Sequence, residues 1–408
     1  YLSSLRDAAK EFRAHSQFWA PFVRSLDIED KDRAELEAAL SELNKDILQR
    51  HSAFNSVKER LQEMSHHLSV GESDTVSIEA IPEKVFDILS RTQIKISSKT
   101  GARIPIIRHG HGTQSLAVIH LFSAFLNSQL RDIYSEYSQP ILALEEPEAH
   151  LHPSAIKSVV KMLRDIPGQK FITTHSGDLL ADVPLRNIRR LRRCGENTFV
   201  HMVDENDFEP NEKEKLNYKV RTTRGALLFS RCWLLVEGES EAVLLPECAR
   251  AMGHDLHSDG VSLVEFTHIG IDKLITLADH LGIEWLVLID NDQQGLTFEK
   301  SARQHLSTRN ESDHICKLDH GNLEVFLCME GYGNIYQDSV SEQKKSDTMP
   351  TEGTLEYWKV IAKALKNKSK IANSHLVAKT ITEEGPDAVP ALLSDLINKS
   401  RELASRAG

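Results

Sequence analysis

No apolar run in the sequence approaches the roughly 18 residues that a bilayer-spanning helix needs, so a helical membrane protein is excluded and no membrane partner is expected. Cysteine is sparse. Cys194, Cys232, Cys248, Cys316 and Cys328 are odd in number, far apart and never in a Cys-x-x-Cys pair, which argues against a disulfide framework and a zinc site and for a reducing, cytoplasmic setting. Aromatic residues are 6% of the chain, and the Trp residues form no stripe on which bases would stack. Excess positive charge is lacking too: the net charge of -11 means that any DNA contact must use a local basic patch. The phosphate-cradling Gly-x-x-x-x-Gly-Lys-[Ser/Thr] loop does not occur. There is no initiating Met and no signal segment, and Tyr1 lies inside an amphipathic helical pattern, so the chain is expected to begin within a longer protein.

What is present is ordinary globular composition, 40% hydrophobic and 27% charged over 408 residues, too long for a single core. Leu36, Leu40, Leu43, Ile47 and then Phe54, Val57, Leu61 and Met64 recur at three and four, predicting two helices in residues 1–70, as a helical arm or a plain packed bundle. Short β-like stretches at Val76–Ile81, Gln93–Ser97 and Ile104–Ile107 flank a short helix expected from Pro82. A helix from Leu116, a strand over Pro140–Leu144, a helix over Pro153–Asp165 and a strand over Lys170–Thr174 give the parallel α/β order. Arg186–Met202 reads as a hairpin turning at Gly195, and the polar stretch 206–228 as a linker. A second α/β unit follows at 229–335, with strands at Cys232–Val236, Val261–Phe266 and Trp285–Ile289. Residues 336–354 read as a polar loop, within a C-terminal helical region at 336–408.

Two constellations carry chemistry. In the first, Glu145-Glu146-Pro147-Glu148 follows a buried strand and runs on through Ala149-His150-Leu151-His152-Pro153, and the next strand ends in Thr174-His175-Ser176. Adjacent carboxylates at a strand end suit a nucleotide site, one holding water on Mg²⁺ and the next polarising an attacking water, with a His at the neighbouring edge near a γ-phosphate. Upstream, His109-Gly110-His111-Gly112-Thr113-Gln114-Ser115 places glycines before a helix, where backbone amides approach phosphate. The series resembles the signature, Walker B, D-loop and switch-histidine order of ABC-type ATPases, especially the overcoming-lysogenisation-defect (OLD) and related repair ATPases. The resemblance implies a metal-side role for Glu145, where most of that superfamily has Asp, a catalytic role for Glu146 and a switch role for His175. It also implies ATP contacts by Gly110, Gly112 and Gln114, and a homodimer or higher homo-oligomer in which the signature faces a partner's nucleotide. His150 and His152 fall beside the phosphates and are assigned no metal. Without the phosphate loop, ATP with Mg²⁺ is expected to bind only when a lobe carrying that loop is present.

In the second, Val236-Glu237-Gly238-Glu239-Ser240-Glu241 closes one strand and Ile289-Asp290-Asn291-Asp292-Gln293-Gln294-Gly295 another. Four carboxylates at one rim are costly unless cations neutralise them. This pattern resembles the Toprim domain of topoisomerases, bacterial primases and OLD nucleases. The resemblance implies that Glu237 is the Toprim glutamate and that Asp290 and Asp292 bind metal. It further implies that Glu241 fits a two-metal OLD site, that Glu324 in Leu323-Glu324-Val325-Phe326 is the next acidic position, and that Lys370 is a late catalytic lysine, although Ile371 stands where Pro is expected after it. Nor does any Tyr stand in a nucleophile context, which favours hydrolysis over a covalent topoisomerase mechanism.

The expected fold class is therefore α/β: the C-terminal part of an ABC-type ATPase with a helical arm (1–70 and 71–205), the linker, a Toprim Rossmann-like parallel-sheet domain and a helical C-terminus. The expected function is an ATPase-coupled, Mg²⁺- or Mn²⁺-dependent DNA endonuclease in phage defence or DNA repair, in a defence system with a further partner protein. Two rivals remain: an ATP-dependent DNA sensor or clamp that binds metal and DNA without cutting, and phosphoryl transfer of the primase kind. Two basic runs, Arg186, Arg189, Arg190, Arg192 and Arg193, and Lys366, Lys368 and Lys370, are either phosphate contacts or solvated faces.

Overall fold

The structure, a computed structural model, describes residues 28–50, 52–65, 78–89, 94–97, 101, 103–128, 141–149, 151–223, 225–340 and 349–407. They fall into two compact units, residues 1–175 and 176–408.

In the first unit, the apolar spacings of three and four produce helices α1 (Asp30–Arg50) and α2 (Ser52–Ser65). Acidic Asp30 and Asp32 in the first turn of α1 and Arg50 in its last suit the helix dipole. No strand forms over residues 78–81, and positions 76 and 77 lie outside the described residues. The alternation there loses to a tertiary contact: Asn44, 2% exposed, accepts from the Ala80 and Ile81 amides at 2.7 and 3.3 Å and donates to Glu83 Oε1 at 2.7 Å. The short helix begins at Val85 rather than Pro82. Asn44→Ala leaves two amides without their acceptor and is expected to cost about 2 kcal/mol. Faster hydrogen exchange at Ala80 and Ile81 would register it, and unchanged exchange would refute it.

Strands β1 (Lys95–Ser97) and β2 (Arg103–Pro105) pair antiparallel. Helix α3 runs over His111–Ser128, five residues earlier than Leu116, because the Gln114 side chain donates to Ile107 O and His109 O and closes the first turn. β3 (Ile141–Glu145), α4 (Pro153–Asp165) and β4 (Gln169–Thr173) then form a parallel β-α-β unit in which Glu145 lies opposite Thr173. Pro153 sits in the first turn of α4 behind His152, whose ring nitrogen accepts from Ser154 N. Leu142, Leu144, Val159 and Leu163 close a small core with Val118 and Ile119 of α3.

The second unit opens with a hairpin, β5 (Arg189–Cys194) and β6 (Asn197–Met202), turning at Gly195 with φ 59°. The polar stretch expected as a linker is instead helix α5 (Pro210–Thr222), whose Leu216 and Val220 are buried. Next come β7 (Cys232–Val236), α6 (Glu239–Ala251), β8 (Val261–Glu265), α7 (Ile271–His280), β9 (Glu284–Ile289), α8 (Gln293–Arg303) and β10 (Ile315–Lys317). The four strands form one parallel sheet in the order β10-β9-β7-β8. The chain winds outward from β7 to β8, then crosses to β9 on the other side. Neighbouring β7 and β9 are therefore the switch point, where ligands of such sheets bind beyond the carboxyl ends of the strands.

Alternation along the strands feeds two layers. Cys232, Leu234, Val236, Leu286 and Leu288 face a core shared with α6, the short helix α9 (Leu323–Leu327), and three C-terminal helices, α11 (Leu355–Ala364), α12 (Asn367–Glu384) and α13 (Ala391–Arg406). Trp233, Leu235, Trp285, Val287 and Ile289 face α5, α7 and α8. The C-terminal helices are thus one of the covering layers of the sheet rather than an appendage. Within residues 336–354, expected as a loop, helix α10 (Gly333–Asp338) extends past Tyr336; residues 341–348 lie outside those described.

Candidate functional site

At the strand ends of the first unit, Glu146 has φ 44°. A non-glycine residue in the left-handed region is strained, and such strain collects at functional sites. It is held there by a hydrogen bond from Glu146 N to Thr173 O at 2.9 Å, and its carboxylate lies 3.7 Å from His175 Nε2. The pair expected to act together is thus brought together, while Glu145 sits at the end of β3 with its side chain exposed. Glu148, not singled out in the sequence, accepts from Thr174 Oγ1, and its other oxygen is buried with no partner among the described residues. Gly110 immediately precedes α3, and Gly112 and Gln114 lie in its first turn. Gln114 is buried with its amide spent on backbone carbonyls, so in this conformation it shapes the turn. His152 is a helix cap, and His150 lies outside the described residues.

In the second unit, the switch point assembles the acidic residues. Glu237 directly follows β7 and Asp290 directly follows β9, two adjacent parallel strands. Glu241 lies one turn into α6, and its Oε2 accepts from the Gly238 amide at 3.2 Å. Asp292 caps α8, accepting from Gly295 N at 2.7 Å. Asn291 ties this loop to the one before α9: its backbone N–H donates to Gly321 O at 2.5 Å and its side chain to Asp319 O at 3.0 Å. Asn322 then caps α9, which carries Glu324. Lys370, in the first turns of α12, donates to Glu324 Oε2 at 3.1 Å. Ile371 keeps its backbone N–H there, so the helix runs on without the interruption a proline would bring. The Asn291 tether and the Asn322 cap went unnoticed in the sequence; an Asn three residues before Val325, at the head of an apolar helix, is the signal for the second.

Glu241, Asp290 and Glu324 are 6%, 9% and 4% exposed, and Glu237 Oε2 is buried with no hydrogen-bond partner among the described residues. Burial, then the charges of Glu241, Glu237, Glu324 and Asp292, push the Asp290 carboxyl up to about 9. Burial and then the neighbouring carboxylates push Glu241 up to about 7. Glu237 is raised by burial, then by Asp292 and Glu324, against the opposing charge of Lys370. Glu237, Glu241 and Asp290 thus sit in the field of the other carboxylates, with Lys370 paired to Glu324. Among the described residues no three acidic, His or Cys side chains stand in a ready-made metal shell. The donor set nevertheless fits a divalent cation, because buried, mutually repelling oxygens, one of them unpartnered, are stabilised by positive charge.

Most of the first basic run serves the fold. Arg190 donates to Leu281 O, Gly282 O and Ser230 O, Arg192 to Arg406 O, Arg189 to Arg186 O, and Arg186 faces Glu205. Of the second run, Lys370 is taken up by Glu324, and Lys368 lies among side chains not described.

Residues 19–226, half of the chain, match the family model "Protein of unknown function (DUF2813)". The chain belongs to the DUF2813 family. Residues 228–292, from β7 to Asp292, match the model "Overcoming lysogenization defect protein-like, TOPRIM domain", so this DUF2813 protein is an OLD-family chain with a Toprim domain. It is 29% identical to the uncharacterized protein YbjD of Escherichia coli (strain K12) over 301 residues, 73% of this chain and 53% of YbjD. It is 29% identical to the Old nuclease of Escherichia phage P2 over 196 residues, 46% of this chain and 33% of that protein. The chain thus spans about half the length of one curated relative and a third of the other. Among solved structures, the C-terminal region of the Burkholderia pseudomallei OLD protein matches with TM-score 0.30 at 20% identity, covering 43% of this chain and 99% of that one. The corresponding region of the Xanthomonas campestris pv. campestris protein matches with TM-score 0.33 at 19% identity, covering 44% and 97%.

Proposed function

We propose that the second unit of this DUF2813 protein is a divalent-metal-dependent endonuclease that hydrolyses DNA phosphodiesters. The observation that carries this reading is the meeting of Glu237, Glu241, Asp290, Asp292 and Glu324 at the switch point, with Lys370 held on Glu324. The Old nuclease, so named, is similar to this chain over 196 residues and supports the reading. Mg²⁺ or Mn²⁺, two ions by the family resemblance, would be held by the five carboxylates and would supply Lewis-acid charge and a water acidic enough to attack. The chain's own residues do the rest. Sheet and helices bury Glu241, Asp290 and Glu324 so that solvent does not screen them. Lys370, oriented by Glu324, offers positive charge to the phosphate as negative charge builds on its oxygens.

The sensor or clamp reading needs no lysine beside the metal ligands, and the Lys370–Glu324 pair favours cleavage. ATPase coupling rests on Glu145, Glu146 and His175, whose work on ATP would need a phosphate loop from outside this sequence. Homo-oligomer formation and a role in phage defence or DNA repair belong to the same proposal.

The test is nicking of supercoiled plasmid in Mg²⁺, Mn²⁺ or EDTA. We expect nicking with either metal, none in EDTA, and a rate about 100-fold lower in Lys370→Ala. A wild-type chain that binds plasmid but cuts it with no metal would transfer the argument to the clamp.

A further inference from the structure

Behind the carboxylates, the helix that bears Lys370 turns two more polar residues inward. Lys370, Asn373 and Ser374 are three and four residues apart on α12 and so share a face, which Val377 and Ile381 continue into the core. Asn373 is 1% exposed and Ser374 0%, and Tyr336 of α10, also 0% exposed, has its hydroxyl beside Ser374. Ser339 Oγ donates to Asn373 Oδ1 at 2.7 Å. Among the described residues, Asn373 Nδ2, Ser374 Oγ and Tyr336 Oη are buried with no hydrogen-bond partner, and the Tyr336 hydroxyl is near Ser374 without forming a well-directed bond to it. Burial first, and then the charge of Glu324, make that hydroxyl a weaker acid, so it lies within electrostatic reach of Glu324.

Three unmet buried polar groups would cost about 1–3 kcal/mol each. One water within reach of all three would meet them, since a buried water characteristically makes about three hydrogen bonds. Its oxygen accepts from Asn373 Nδ2 and from the Tyr336 hydroxyl, and one of its hydrogens goes to Ser374 Oγ. We propose that Tyr336, Asn373 and Ser374 enclose a structural water that locks α12 to α10, and that Tyr336 is thereby a positioning residue holding Lys370 on Glu324. The proposal rests on the reading of the five carboxylates as a metal site. Groups that orient metal ligands from behind are worth about 10–100-fold in metal affinity or activity when removed.

The experiment uses the full chain with Tyr336→Phe, Ser374→Ala and both together, read by thermal unfolding in EDTA and in Mn²⁺ and by plasmid nicking. In EDTA, Tyr336→Phe is expected to unfold within about 2 °C of wild type, a change of under about 1 kcal/mol. The Mn²⁺ concentration giving half the thermal gain should rise about 10-fold and maximal nicking fall about 10-fold. Ser374→Ala should do likewise, and the double variant should be no worse than either, because a single water serves both side chains. Single variants with a wild-type Mn²⁺ response and normal nicking would overturn this proposal alone, as would losses that add in the double variant. A wild-type chain that Mn²⁺ stabilises but that never nicks would overturn the nuclease reading, while the Mn²⁺ response of the variants would still decide this one.

Discussion

Asp290→Asn should remove metal-dependent nicking while making the metal-free protein more stable. Asp290 is 9% exposed at the end of β9, and its carboxylate feels Glu241, Glu237, Glu324 and Asp292. Replacing the acid by an amide of the same shape removes the cost of keeping this carboxyl protonated in the folded chain when it would ionise in the unfolded one, and leaves the packing in place. Unfolding in EDTA should therefore rise by about 3 °C or more, since about 1 kcal/mol moves the midpoint of a domain this size by 2–4 °C. Nicking should fall by at least about 100-fold, the upper scale for groups that merely support a metal ligand. The pH dependence carries the same sign. A carboxyl raised in the folded state to about 9 contributes stability that is present below its unfolded value and lost as pH climbs through the folded one. The wild-type chain in EDTA should thus lose stability from about pH 4 to pH 9. That slope should flatten in Asp290→Asn. An EDTA midpoint that falls in Asp290→Asn would mean that the carboxylate is held by attraction, and the cluster would not be a metal site.

The parts of this fold that were legible are those in which one strand carries its own evidence. Cys232–Val236 and Trp285–Ile289 are apolar on both faces, which only a doubly covered parallel strand requires, and the acids that follow each one had to reach the same edge. The polar stretch after Asp204 misled because only Leu216 and Val220, four residues apart among charged neighbours, carry α5 into the core. The helical nature of the C-terminal residues was legible, but not the surface they cover, since an amphipathic pattern does not say which sheet face it meets. At Val76–Ile81 a local alternation gave way to Asn44, more than 30 residues away, which no window of sequence contains.

The candidate site divides in the same way. Glu237, Asp290 and Asp292 were legible from strand ends, Glu324 and Lys370 only through the family resemblance, and the 3.1 Å contact between those last two is what joins them to the rest. Tyr336, Asn373 and Ser374 belong to no motif. They emerge because burial leaves their polar atoms unmatched. The arginines of the hairpin make the opposite point: a dense basic run read as a phosphate patch is largely spent on backbone carbonyls, because a guanidinium with five donors readily bridges the ends of neighbouring elements.

Two glycines of the site should respond very unequally to the same change. A Cβ on Gly295 would stand 1.8 Å from Asp290 O and 2.8 Å from Asp290 C, both backbone atoms at the end of a central strand. Relief would require moving Asp290 or pulling Gly295 N away from Asp292, so the Asp-x-Asp-x-x-Gly spacing is a packing requirement as well as a ligand pattern. A Cβ on Gly238 would meet only Glu241 Oε2, at 3.9 Å. Gly295→Ala should therefore cost more than about 3 kcal/mol, beyond the usual range for overpacking because the obstacle is main chain. Gly238→Ala should stay within about 1 kcal/mol. Urea unfolding followed by the fluorescence of Trp233 and Trp285, both fully buried beside these loops' strands, measures the two together. If Gly295→Ala proves as stable as Gly238→Ala, then Asp290 is free to move. The rigid placement of its carboxylate, on which the metal-site argument depends, would fail with it.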